Sequence, residues 1–174
     1  MDTPKPAQTD TTDWTFVIDK GCPECGYAPH DPRDTAERLR AMPERWEKVL
    51  DRKDATERPG EDVWSPVEYA RHCLDLLRVL NRRVTSMLNE ENPQLEDYDG
   101  EAEAVNERFW EADPERVSTD IADAVREVAA TYDRIGEGEW GRTGVRSDGK
   151  LFTILDMSRY LLHDLEHHLV DVRG

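Results

Sequence analysis

The sequence is short of several things, and each shortage excludes a class of protein. It has three cysteines in 174 residues, an odd number and too few for a disulfide framework. No apolar run approaches the roughly 20 residues that a membrane-spanning helix needs. The opening stretch, MDTPKPAQTD, is polar without an apolar centre, which is not the pattern of a secretory signal, so a cytoplasmic protein is expected. Basic residues are scarce beside acidic ones, 23 against 39, for a formal charge of −16. That self-repulsion favours solubility and argues against polyanions, so neither nucleic acid nor an anionic membrane is an expected partner. Phosphate-binding loops of the G-x-G-x-x-G or Walker A type are missing, as is the G-x-S-x-G elbow. Nucleotide, dinucleotide and methyl-donor folds and serine hydrolases of that type therefore have no support.

What is present is a chain with 37% hydrophobic residues, enough for the core of one ordinary domain. Residues 1 to about 12 read as a polar tail, DWTFVIDK (13–20) as a short strand-like arm, and GCPECGYAPHDP as turn chemistry. Residues 1–30 thus form a tail and arm, and residues 31–174 the main domain. Four helix starts follow. Asp31 precedes Pro32, Ser65 precedes Pro66 with Glu68 in a capping box, Asp113 precedes Pro114, and Thr153 pairs with Asp156. Each cap oxygen can satisfy an orphan backbone N–H, and proline is tolerated at the first helical position. Each start leads into 3.6-residue periodicity, such as Ala70, Cys73, Leu77, Leu80 and Val84 on the second helix. Pro43 is expected to kink or split the first helix. About two dozen residues separate the second and third helices, long enough to run the length of a bundle. The expected fold is all-α: an antiparallel four-helix bundle with a long crossover between helices 2 and 3 and a short N-terminal arm.

Two patterns carry chemistry. In YLLHDLEHHLVDV, His163 and His167 are four residues apart on a helix, so they project one turn apart from one face and can share a metal ion. His72, on the second helix, is a candidate third ligand, because bundle cores often take metals from facing helices. Three neutral imidazoles with an open position make a catalytic arrangement. The helical wheel keeps a solvated polar face open as the alternative, since the pair lies roughly opposite the Ile154, Leu161 and Leu165 stripe. His168 points elsewhere and is expected to pack or hydrogen-bond. The second pattern is CPEC. Cys22 and Cys25 have the spacing of a zinc knuckle or a redox pair. They read as a possible second metal site with outside help, such as His30, as a reversible disulfide, or as a plain turn with two thiols. Cys73 lies on the apolar stripe and is expected to behave as a small hydrophobe. Trp46, Trp64, Trp110 and Trp140 are expected to anchor helices.

The histidine in WSPVEYARHC, the long crossover and the ending RYLLHDLEHHLVDV resemble the DinB-like superfamily. That group includes DinB proteins, mycothiol-dependent maleylpyruvate isomerases and bacillithiol S-transferases, and the resemblance covers roughly residues 31–174. The CPECG arm resembles an actinobacterial subgroup of unassigned function. The resemblance implies a four-helix bundle with a divalent metal, zinc or nickel, held by His72, His163 and His167. The isomerase branch has Glu where this chain has His163, so maleylpyruvate is not the implied substrate. What the resemblance implies is a metal-dependent thiol S-transferase that uses a low-molecular-weight thiol such as mycothiol and an electrophilic substrate, assembled as a homodimer. The alternative is a non-catalytic metal- or ligand-binding stress-response bundle. Asp156, Asp164 or Glu166 could orient a ligand imidazole.

Overall fold

The computed structural model describes residues 2–174; Met1, the first residue of the expected tail, lies outside them. The four expected helix starts are all in place. Asp31 accepts from the Arg33 N–H and opens a 3-10 turn that runs into α2 (Thr35–Arg40). Pro43 stands in the first turn of a separate helix, α3 (Met42–Leu50), so the expected kink is a break at Ala41. Ser65 and Glu68 form the full capping box of α4 (Pro66–Asn89). Asp113 caps α6 (Pro114–Asp133), and Thr153 with Asp156 caps α7 (Ile154–Asp171).

These helices make the four-helix bundle. The α2–α3 pair packs on α6 and α7, and α4 packs on the same two from the other side. Leu74, Leu77, Leu80, Ile121, Ile154 and Leu161 are fully buried between them. Cys73 is also fully buried, on the apolar stripe as expected. Of the tryptophans, Trp46 is fully buried among the helices.

One local feature differs from expectation, and two more add structure to the connections. DWTFVIDK is a 3-10 turn followed by α1 (Val17–Lys20), not a strand. Asp13 caps the turn by accepting from the Thr15 N–H, and the adjacent residues Val17 and Ile18 are both buried. Adjacent residues of a strand point to opposite faces, so a helical turn is what buries both on one side. The crossover between α4 and α6 contains a helix of its own, α5 (Gly100–Asn106), capped by Asp99. Its Ala and Glu content favours that state. The stretch before α7 folds into a hairpin, β1 (Thr143–Val145) with β2 (Leu151–Thr153), around the turn signal Asp148–Gly149. Leu95 donates to Val145 and Val145 to Pro93, at 2.8 and 2.9 Å, which ties the start of the crossover to the hairpin.

The tail is laid over the rim of the bundle. Gln8 donates to the Asp62 carbonyl at 2.9 Å, and Thr9 and Asp10 donate to the Glu101 carboxylate. It forms one wall of the cavity described next.

Candidate metal centre

The arm reaches α7 because α1 packs against it and Arg159 pins both ends of the arm. The Arg159 guanidinium donates to the carbonyls of Ile18 and His30 at 3.2 and 3.1 Å. Between those anchors lies the CPEC turn. Gly21 sits at φ 74°, and a Cβ there would fall 2.5 Å from the Tyr27 carbonyl oxygen. Only glycine fits that close approach. It allows the Cys22 N–H to donate to Tyr27 at 2.8 Å, while Gly26 donates back to Cys22 at 2.9 Å. The turn is thereby closed and laid over His163 and His167.

Cys22, Cys25, His163 and His167 each bring a potential ligand atom into one set, and all four atoms lie within 4.8 Å of one another. The thiols are free. Cys22 Sγ is 3.7 Å from His167 Nδ1. His163 is 1% exposed, and its Nδ1 lies 3.0 Å from Asp164 Oδ1. A carboxylate only accepts, so Nδ1 carries the proton and Nε2 of the neutral ring keeps its lone pair. That Nε2 is buried and has no hydrogen-bond partner. A carboxylate behind the imidazole and an unsatisfied nitrogen in front is the arrangement that orients a metal-binding histidine. Trp14 covers the pair, stacked on the His163 ring and edge-on to His167.

The electrostatics differ across the set. Burial pushes the Cys22 thiol up, but the backbone N–H groups of Cys25 and Glu24 and the His163 ring outweigh it, and the net shift is downward. Cys25, mainly through burial, is pushed up to about 11. Burial lowers His163, yet the Asp164 carboxylate and then Cys22 together outweigh it, and the net shift is upward. His167 is lowered, chiefly by burial.

His72 is not a member of this set. Its nearest imidazole is His168, with ring centroids 5.1 Å apart, and its Nδ1 lies 3.1 Å from the Tyr98 hydroxyl. Gly100, the first residue of α5, abuts it so closely that a Cβ there would come within 2.6 Å of the His72 ring. Burial, then the charge of His168, hold His72 down to about 3, so it is a neutral imidazole at ordinary pH. His168 does hydrogen-bond as expected, 2.9 Å from Asp171, but it also faces His72. His72, His163, His167 and His168 all line one cavity of about 910 Å³, with Arg83 and Arg146 on its wall.

The remaining candidates are placed elsewhere. Thr35 donates its hydroxyl to the Pro32 carbonyl, so it accepts from His30 Nε2, and His30 Nδ1 accepts from Tyr27. Both nitrogens are used, and His30 is a structural residue of the arm. Among the acids proposed to orient an imidazole, Asp164 does so. Asp156 serves the α7 cap and Glu166 pairs with Arg38. The sequence pointed to CxxC and HxxxH separately. What was missed is that they converge, and that Trp14 covers the result. Both patterns have metal-ligand spacing, which was the available signal.

The fold and this cluster define a four-helix bundle with a histidine-bearing, metal-competent cavity on its last helix. The chain belongs to the DinB superfamily, whose family model matches residues 35–171. It is also similar to the solved structure of YfiT from Bacillus subtilis, described as "a probable metal-dependent hydrolase with an unusual four-helix bundle topology". The TM-score is 0.74 at 16% sequence identity, over 90% of this chain and 95% of that one. No curated protein matches the chain. The two cysteines of the cluster precede the residues that the family model covers.

Proposed function

We propose that this protein is a metal-dependent enzyme that joins a low-molecular-weight thiol to an electrophile in the cavity beside α7. The observation that carries the reading is the buried, unpartnered Nε2 of His163, held in place by Asp164 and opening on the His167 side. His163 and His167 would hold the ion. A divalent ion there supplies positive charge that draws the proton from a thiol or water placed beside it.

The chain's own residues supply the rest. Asp164 fixes the ring of His163. Trp14 covers one side of the pair. His72 stands on the same cavity as a neutral imidazole, available as the third ligand that the family resemblance implies. Arg83 and Arg146 stand on a wall that also carries seven acidic residues, so they offer two local cationic contacts for an anionic group of the thiol or electrophile. The volume suits a small molecule, at the upper end of the usual 300 to 1,000 Å³ range, roughly.

The test is conjugation of monochlorobimane with small thiols, run with and without a chelator. Turnover that chelation abolishes and His163→Ala reduces supports the reading. Turnover that survives chelation refutes the metal mechanism. If no thiol reacts but metal removal lowers the melting temperature, the protein is instead a non-catalytic, metal-stabilised bundle.

A further inference from the structure

We infer that Cys22 and Cys25 of the arm join His163 and His167 of α7 in one four-ligand site for a soft divalent ion of the zinc class. The inference shares the two histidines with the reading above but needs no catalysis. It adds two thiolates from a segment that lies outside residues 35–171, the part matched by the family model.

Geometry makes the argument. Zinc lies about 2.3 Å from sulfur and about 2.0 Å from nitrogen, so the ligand atoms of a tetrahedral site stand roughly 3.3 to 3.8 Å apart. Cys22 Sγ and His167 Nδ1 are 3.7 Å apart. The whole set falls within 4.8 Å, so a small contraction completes a tetrahedron. The donor chemistry agrees, because two thiolates and two imidazoles select zinc over magnesium or calcium.

Each ligand is also prepared. His163 presents a buried nitrogen that no protein group satisfies. Cys22 is buried, and its sulfur already lies against the His167 ring. Both thiols are free rather than joined. A plain turn carrying two thiols would need none of this: neither the orphaned nitrogen opposite nor the Trp14 ring laid over it. Four protein ligands fill the coordination sphere of zinc, as in structural sites. With all four engaged the ion fastens the arm to α7, and any chemistry on it requires one cysteine to let go.

The test uses the full chain without a histidine tag, purified under reductant, stripped of metal and titrated with Co²⁺ alone. One equivalent should bind and give near-ultraviolet thiolate-to-cobalt absorption together with intense tetrahedral visible bands, and Zn²⁺ should bleach both. Cys22→Ser/Cys25→Ser should lose the near-ultraviolet band and bind Zn²⁺ more than about a hundredfold more weakly, beyond the effect of losing an orienting partner. His72→Ala should leave the spectrum unchanged. Cobalt binding without the thiolate band, or loss of that band in His72→Ala, overturns this inference and leaves a histidine-held metal standing. Failure to bind Co²⁺ or Zn²⁺ at all overturns both this inference and the function proposed above. The wild-type spectrum decides by itself, so a variant that fails to fold does not blunt the test.

Discussion

The indole of Trp14 lies stacked on the imidazole of His163, with ring centroids 5.4 Å apart and planes 29° apart. The same indole meets His167 edge-on at 4.9 Å, and its N–H donates to Asp10 at 2.6 Å. One side chain of the arm thus covers both histidines and links them to the tail.

Trp14→Ala should remove that cover. The variant is expected to lose roughly 2 kcal/mol of stability from the lost apolar contact. Its Cys22 and Cys25 should also react several-fold faster with an aromatic disulfide reagent. Thermal unfolding and thiol-reaction rates read the two effects. Unchanged thiol kinetics would show that Trp14 does not shield the turn.

Asp164→Asn should weaken metal binding without removing a ligand. An amide in place of the carboxylate accepts more weakly from His163 Nδ1, and loss of such a partner typically lowers metal affinity about ten- to a hundredfold. Competition with a zinc indicator measures this. Asp156→Asn, which perturbs only the α7 cap, should leave zinc affinity as it was.

Arg58→Met should be strongly destabilising. Glu68 is 1% exposed and accepts from Arg58 Nε at 2.9 Å, from the Ser65 N–H at 2.8 Å and from the Ser65 hydroxyl at 2.7 Å. Without the guanidinium a buried carboxylate is left uncompensated, a loss of about 3 to 5 kcal/mol. For a chain of this size that is a fall in melting temperature of roughly 10 °C. Adding Glu68→Gln removes the stranded charge and should recover part of the loss.

Stability should decline with acid between about pH 6.5 and pH 4 through His30. Burial, then the charges of Arg38 and Arg159, hold this histidine down to about 4 in the folded protein. Below about pH 6.5 the unfolded chain takes up a proton that the folded chain refuses, so folding weakens until the folded form is protonated as well. The loss from this group is on the order of 3 kcal/mol at most, and it levels off below about pH 4. His30→Gln, which does not titrate, should flatten that part of the stability curve. An unaltered slope would assign the acid limb to other groups.

The long helices were legible because their signals are local. Ser65 with Glu68, Asp113 with Pro114 and Thr153 with Asp156 each declare a helix start within four residues, and the apolar stripes behind them continue for about four turns or more. The arm differs from expectation because three consecutive apolar residues, Phe16 to Ile18, fit a strand or a helical turn equally well. The crossover hid α5, since Asp99 and the Ala- and Glu-rich run after it also read as a solvated acidic loop. The site was legible by halves. Spacing singled out Cys22 with Cys25 and His163 with His167, but nothing local says that a turn near one end of the chain meets a helix near the other. Spacing likewise could not reveal that His72 faces His168, because that depends on how α4 and α7 are rotated against each other.

That meeting of distant segments has a consequence in time. Val17 and Tyr27 are buried against the bundle, and Cys22 touches a residue 145 positions further along the chain. On a ribosome the arm emerges well before α7, the surface it docks on. Contacts of such sequence separation bear the full entropy of loop closure before they are rewarded. The arm's apolar residues therefore have no α7 surface to cover them until that helix is made. Until α7 is made the two thiols have no imidazoles to meet, so the cluster cannot form while the chain is still short of that helix.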